Sequence, residues 1–215
     1  MKAFVITIKG HKGSEEYAQR CIDSGKTWGW DIQRFDAITP NHDLPTLCDH
    51  AGIDPTRFVE KYSRTPNCIA AFLSHYSLWD ACFNNNEGAY AIFEHDAIIT
   101  GPMPTAPTYA GNIGEPSYGK FRTPSTFGWG KLVSKPYFPG AHAYIVTPTG
   151  ARLLCETAKT QAMPTDVYLN VVRFEWLQEY YPYVAKADDS FSTIQNVTGT
   201  LAKHNYEKGI EISDI

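Results

Sequence analysis

Ala89-Tyr90-Ala91-Ile92-Phe93-Glu94-His95-Asp96 is an apolar run that ends in two carboxylates flanking a histidine. The apolar part is too short for a helix and follows the turn-rich Asn84-Asn85-Asn86-Glu87-Gly88, so it predicts a buried strand of a parallel sheet. Ligands of open α/β sheets bind outside the carboxyl ends of the strands, where Glu94 and Asp96 would then stand. Carboxylates in such a place hold a divalent cation or accept hydrogen bonds from a ligand. Strand alternation turns His95 away from its two neighbours; the other reading makes it a third metal ligand.

Several elements must position this edge. Lys2 to Ile8 is apolar and β-branched and reads as a first buried strand, opening into the basic turn Lys9-Gly10-His11-Lys12-Gly13. Ser14 reads as the cap of a helix running to about Ser24, with Tyr17, Ala18, Cys21 and Ile22 on one face and Gly25 as its stop. Trp30 to Ile38 reads as a second strand; parallel to the first, it completes a βαβ unit and brings Asp36 to the edge that carries the basic turn. Neither the dinucleotide glycine pattern nor the Walker A pattern is present, so an ordinary βα turn competes with a nucleotide site here.

The stretch from Asn41 to Lys61 is polar, with one short helix expected from Pro55. Thr65-Pro66 opens the clearest helix, in which Ile69, Phe72, Leu73, Tyr76, Trp79 and Phe83 form an apolar stripe, with Ser74, His75 and Ser77 off its centre. His75 is either a helix-flank histidine with a local partner or a residue lining the adjacent sugar-phosphate pocket. From Gly101 to Pro139 the composition predicts long loops with one hairpin, of the kind that form functional lids. His142 to Thr147 is a further strand, and Thr147-Pro148 starts a helix with Ala151, Leu154 and Ala158 on one face. Thr165 is expected to cap a last helix that opens with Asp166, whose bland reading is helix-dipole capping. Tyr180 onward is tyrosine-rich, and the tail holds His204.

With 215 residues, 43% hydrophobic and 20% charged, the chain suits a single domain with a substantial core. A net charge of −4 with no lysine or arginine run argues against nucleic acid as the main partner. No window suits a membrane span, and Met1 to Lys9 lacks a signal-peptide core. Five scattered cysteines without a Cys-x-x-Cys pair point to reduced thiols and a cytoplasmic location. Aromatic content is high at 13%, including 13 tyrosines, which fill cores or form stacking platforms for a base or sugar ring.

The motifs together resemble glycosyltransferase family 25, the lipopolysaccharide-type galactosyltransferases. The matching pieces are Phe4-Val5-Ile6-Thr7-Ile8, Arg34-Phe35-Asp36-Ala37-Ile38, Cys68 to Trp79 with its Ser74-His75-Tyr76-Ser77-Leu78-Trp79, Phe93 to Ala97, Gly140 to Val146 with Gly150 to Leu154, and Pro164 to Leu169. Two features depart from the family: His95 stands where it has an acid, and its arginine-rich first turn is represented by Lys9, His11 and Lys12. The resemblance implies an α/β fold, GT-A-like, with a Rossmann-type mixed, mostly parallel sheet flanked by helices. It implies one glycosyltransferase domain over residues 1–215, with a donor half in 1–100 and an acceptor half and tail in 101–215.

The implied reaction is a metal-dependent, inverting transfer of galactose or glucose from a UDP-hexose to a glycan or lipid-linked sugar acceptor. Mn²⁺ or Mg²⁺ would be held by Asp96, with Glu94 as a further ligand or a hydrogen-bond partner of ribose or sugar, and His142 or His204 completing the shell. Asp166 would be the catalytic base, with Asp188 and Asp189 in reserve. Thr7, Ile8 and Asp36 would hold uracil and ribose, Lys9 or Lys12 would lie near the phosphates, and Ser74 and His75 would line the donor pocket. Two rival readings are a nucleotide-sugar or glycan binder that has lost turnover and a metal-dependent phosphoester hydrolase using the same edge.

Overall fold

The computed structural model describes residues 1–58, 65–117 and 119–188. Strands β1 (Lys2–Thr7) and β2 (Ile32–Asp36) are joined by helix α1 (Lys12–Thr27) in the expected parallel βαβ unit. The entry to α1 differs from expectation. His11 is the cap, its Nδ1 accepting the Ser14 N–H at 3.2 Å, while the buried Ser14 hydroxyl accepts the Ile8 N–H at 2.9 Å. Ser14 thus satisfies a strand-end amide that would otherwise lack a partner. Gly25 does not stop the helix; it lies within it, at a position where a Cβ would stand 2.5 Å from Ile32 Cδ1.

Beyond β2, the sequence predicts a single short helix from Pro55. The structure has α2 (Leu44–Ala51), capped by Asp43 and closed by Gly52 at φ 67°, followed by a 3₁₀ turn at Pro55–Arg57. Helix α3 (Thr65–Asn85) leads into β3 (Tyr90–Glu94), the predicted strand, which pairs parallel with β1. Ile69, Phe72, Leu73 and Trp79 are buried as predicted, and so are Ser74 and His75, whereas Phe83 is exposed. The reason is that α3 packs on the sheet and also against α2, α4 (Pro148–Gln161) and the short α5 (Thr165–Tyr168), so it is buried over most of its circumference. Thr147 caps α4, and Ala151, Leu154 and Ala158 are buried on one face.

The region 101–139 contributes β5 (Ala110–Asn112) and β6 (Gly128–Lys131), and these strands pair with others rather than with each other. With β7 (Ala143–Val146) and β8 (Gln178–Tyr181), the sheet order is β2-β1-β3-β7-β5-β8-β6. Three of its pairings are parallel and three antiparallel, giving β1, β2, β3, β5 and β8 a common direction. Their carboxyl ends therefore share one edge of the sheet. A two-stranded ladder of β4 (Ala97–Ile99) and β9 (Ala185–Ala187) completes the strands among the described residues.

Alternation along the strands divides the core. Ile6, Tyr90, Ile92, Tyr144 and Val146 pack beneath α3 and α4, while Ala3, Val5, Ala91, Phe93, Ala143 and Ile145 pack with Ala18 and Cys21 of α1. This mixed α/β sheet with flanking helices is consistent with a Rossmann-like GT-A fold. No described helix is long and apolar enough to cross a membrane, and all five cysteines are buried thiols outside any disulfide.

Candidate active site

Glu94 is in phase with Tyr90 and Ile92, so its side chain belongs to the α3 face at the carboxyl edge of the sheet. There His75 Nε2 lies 3.3 Å from Glu94 Oε1, and His75 Nδ1 lies 2.9 Å from the Tyr144 hydroxyl. The Trp79 indole N–H reaches that same hydroxyl at 2.7 Å. The direction of this chain follows from its members. An indole nitrogen can only donate, so the Tyr144 oxygen accepts from Trp79, and its own proton finds an acceptor when His75 Nδ1 is unprotonated. In that tautomer the neutral His75 carries its proton on Nε2 and donates it to Glu94. Stacking of the His75 and Tyr144 rings, 5.8 Å apart, fixes the plane of the imidazole.

Burial sets the charge states. His75 is 1% exposed, and loss of water pushes its pKa down to about 3, so it stays neutral in the working range. Glu94 keeps 28% of its side-chain surface open, yet burial first and the Asp166 charge second raise its carboxyl well above the ordinary carboxylate range. Burial raises Asp166 as well, opposed by the Val167 N–H donated to Asp166 Oδ1 at 2.9 Å. The Asp166 charge is thus close enough to act on Glu94, and two carboxyls in unlike surroundings are the arrangement that general acid–base chemistry uses.

Asp166 reaches this place by a different local structure from the one predicted. Helix α5 spans only four residues, Pro164 precedes it without a side-chain cap, and Thr165 is buried instead of capping. Ser74, also predicted for the donor pocket, has its hydroxyl engaged by backbone: it accepts the Ile38 N–H at 2.9 Å and donates to the Ala70 carbonyl at 2.9 Å. It ties α3 to the segment after β2.

The remaining predicted residues lie elsewhere. Asp96 follows the turn onto the α1 side, where its charge helps to raise the buried Cys21 thiol, and its backbone carbonyl accepts the Asp188 N–H at 2.9 Å. Asp188 pairs with Arg20 of α1, so it accompanies Asp96 and not Asp166. His95 is pushed down to about 4 by burial and by the nearby His11, placing it toward the start of α1. Thr7 is buried with its hydroxyl on the Val5 carbonyl, and the Ile8 amide is taken by Ser14. Lys9 pairs with Asp36 at 3.2 Å across the exposed edge, as the βαβ reading requires, and Lys12 stands near Glu16. His142 is 2% exposed, with its Nε2 only 2.3 Å from where a Cβ on Gly114 would be. Asp189 and His204 lie outside the described residues.

A cage of protein ligands for a metal is therefore not assembled from Glu94, Asp96 and His142. Among the described residues no group of three or more His, Cys, Asp or Glu is placed to hold an ion. Glu94 is engaged by α3, Asp96 by the α1 side, and His142 lies beneath Gly114. What the edge offers a cation is single carboxylates, a donor set that suits Mg²⁺ or Mn²⁺ only when the ligand's phosphates supply further oxygens. Sequence reasoning also passed over Tyr144 and Trp79 as site residues, since a buried tyrosine or tryptophan reads as core until its polar tip finds a partner.

The class of protein is that of a transferase enzyme working on sugars. Residues 1–104, from β1 through β4 and just under half of the chain, match the model described as glycosyltransferase family 25 (LPS biosynthesis protein). The match holds both Glu94 and His75, whereas Tyr144 and Asp166 come from beyond it. No curated protein matches the chain.

Proposed function

We propose that the enzyme transfers galactose or glucose from a UDP-hexose to a hydroxyl of a glycan or lipid-linked sugar, in the assembly of lipopolysaccharide, with inversion at the anomeric carbon. The observation that supports this reading is Glu94, met by the buried, neutral His75 at the carboxyl edge of the sheet, with Asp166 near enough for its charge to raise the Glu94 carboxyl. In the proposed step Asp166 accepts the proton of the acceptor hydroxyl as its oxygen bonds to the anomeric carbon. The bond from that carbon to the diphosphate oxygen breaks, and UDP leaves. Glu94, proton-bearing and oriented by His75 Nε2–H, donates a hydrogen bond to a donor-sugar or ribose oxygen. Lys9 and Asp36 mark the exposed edge toward which the nucleotide half extends.

Metal dependence belongs to the proposal in a narrower form than the sequence implied. Mn²⁺ or Mg²⁺ would be held mainly by the diphosphate oxygens, whose charge it would offset, with Asp96, on the α1 side of the turn after β3, as the one protein carboxylate offered to it. Five buried cysteine thiols favour a reducing compartment, in line with the cytoplasmic expectation. The test is acceptor-dependent release of UDP from UDP-galactose or UDP-glucose with Mn²⁺ present. Release that is equally fast without any acceptor would assign the edge to hydrolysis instead.

A further inference from the structure

The edge that carries Glu94 continues across the sheet to the carboxyl end of β8, and what it presents there is aromatic. Phe127, immediately before β6, is 76% exposed and lies 5.8 Å from the Tyr181 ring. Tyr181 meets Tyr183 at 5.6 Å, and Tyr183 meets Phe121 at 6.4 Å, so four rings run on from one another. β3 and β8 are three strand spacings apart, which places this shelf roughly 14 Å from the carboxyl pair.

The shelf is built to stay in place. Glu179, 1% exposed on β8, accepts the Tyr183 hydroxyl at 3.0 Å and also the Val133 and Ser134 amides at 2.6 and 2.9 Å. A buried carboxylate with three donors fixes the Tyr183 ring and the loop after β6 together. Beneath them, Gly111 leaves the room that Trp129 fills, since a Cβ there would lie 2.1 Å from Trp129 Cζ3. Phe127 is exposed and Phe121, Tyr181 and Tyr183 are half-buried, and a ring already fixed, as Tyr183 is, covers a ligand with little loss of side-chain freedom.

We propose that Phe127, Tyr181, Tyr183 and Phe121 form the docking surface for acceptor sugars beyond the one that reacts. This rests on the transferase reading above. A sugar ring offers an apolar C–H face rimmed by hydroxyls, and a ring with a polar tip such as Tyr181 matches both parts. The position fits as well: the shelf lies on the sheet edge of the carboxyl pair, more than one sugar ring away, and opposite the nucleotide end marked by Asp36. The acceptor would enter over β8 and present its terminal hydroxyl at Asp166.

The test is direct binding of linear hexose oligosaccharides of two to five units on a glycan array, using the full chain, Phe127→Ala and Tyr181→Ala. We expect the full chain to capture at least one oligosaccharide and both variants to lose about tenfold in affinity. The thermal shift given by UDP-galactose or UDP-glucose should be unchanged in both. Capture of no oligosaccharide, or equal capture by Phe127→Ala, overturns the proposal. So does an altered oligomeric state of Phe127→Ala, which would make the shelf a protein interface. Absence of any UDP-sugar shift in the full chain would instead strike at the donor reading, so the two failures are separable.

Discussion

Tyr144→Phe removes one oxygen from the middle of the chain that runs from Trp79 to Glu94. Its ring would stay, because Phe fills nearly the same space between Phe138 and His75. Two things are lost: the acceptor of the Trp79 N–H and the donor to His75 Nδ1. A buried N–H left without an acceptor costs about 1–3 kcal/mol, and the second bond contributes about 1 kcal/mol more. We therefore expect a loss of about 3 kcal/mol in denaturant unfolding and a Tm lowered by about 6 to 12 °C. The more specific readout is the imidazole itself. Long-range proton–nitrogen NMR should find the His75 proton on Nε2 in the native protein, and in Tyr144→Phe a share of it on Nδ1, with kcat reduced more than the UDP-sugar KM. A destabilisation below about 0.5 kcal/mol, or a native His75 protonated on Nδ1, would refute the deduced direction of the chain.

Three further outcomes follow. His142, held down to about 4 by burial, resists a proton that the unfolded chain takes up near its ordinary 6.5. Stability it contributes is present above that pH and is lost as the pH falls, by about 1 kcal/mol between pH 6.5 and 5.5. His142→Asn should therefore lose less stability than the native protein over that interval, by about 2 to 4 °C in Tm; parallel curves would contradict the placement of His142. Glu94 acts in the opposite sense: raised from 4.5 to about 8, it gives stability that is lost as the pH rises between those values, so Glu94→Gln should flatten the Tm profile over that interval. Removal of divalent cations with EDTA should abolish transfer, with recovery on adding Mn²⁺ or Mg²⁺, and Asp96→Asn should raise the cation concentration required by about tenfold. Full activity in EDTA would remove the cation from the proposal.

Much of the scaffold was legible because it obeys short-range rules. The β-branched run at Lys2–Thr7, the apolar run ending at Glu94 and the Thr147-Pro148 start each carry a local signal, and each became the element expected. Helix α2 was equally legible and was missed: Asp43, Pro45 and Gly52 are a cap, a first-turn proline and a left-handed stop, outweighed in the reading by the polar character of the stretch. The short strands β5 and β6 could not be read that way. They span three and four residues, rich in glycine, and owe their place to partners far along the chain.

The site divides in the same manner. His75 had two sequence readings because helix periodicity cannot tell whether the far side of α3 faces water. Only the packing of α3 between sheet and neighbouring helices buries it and brings Tyr144 to one ring nitrogen and Glu94 to the other. Strand alternation paired Glu94 with Asp96, but β3 ends at Glu94 and the turn that follows carries Asp96 to the α1 side. Asp188 paired with Arg20 from 168 residues away, a contact that no local pattern announces.

The transfer chemistry proposed here depends on Asp166 taking the acceptor proton, and its replacement tests that most directly. Asp166→Asn keeps an oxygen that can accept the Val167 N–H, so the fold should persist with an unchanged UDP-sugar thermal shift. We predict a fall in kcat of about 100-fold or more with the UDP-sugar KM little altered. Retention of more than about a tenth of native kcat would mean that Asp166 is not the base, since a general base contributes far more than that.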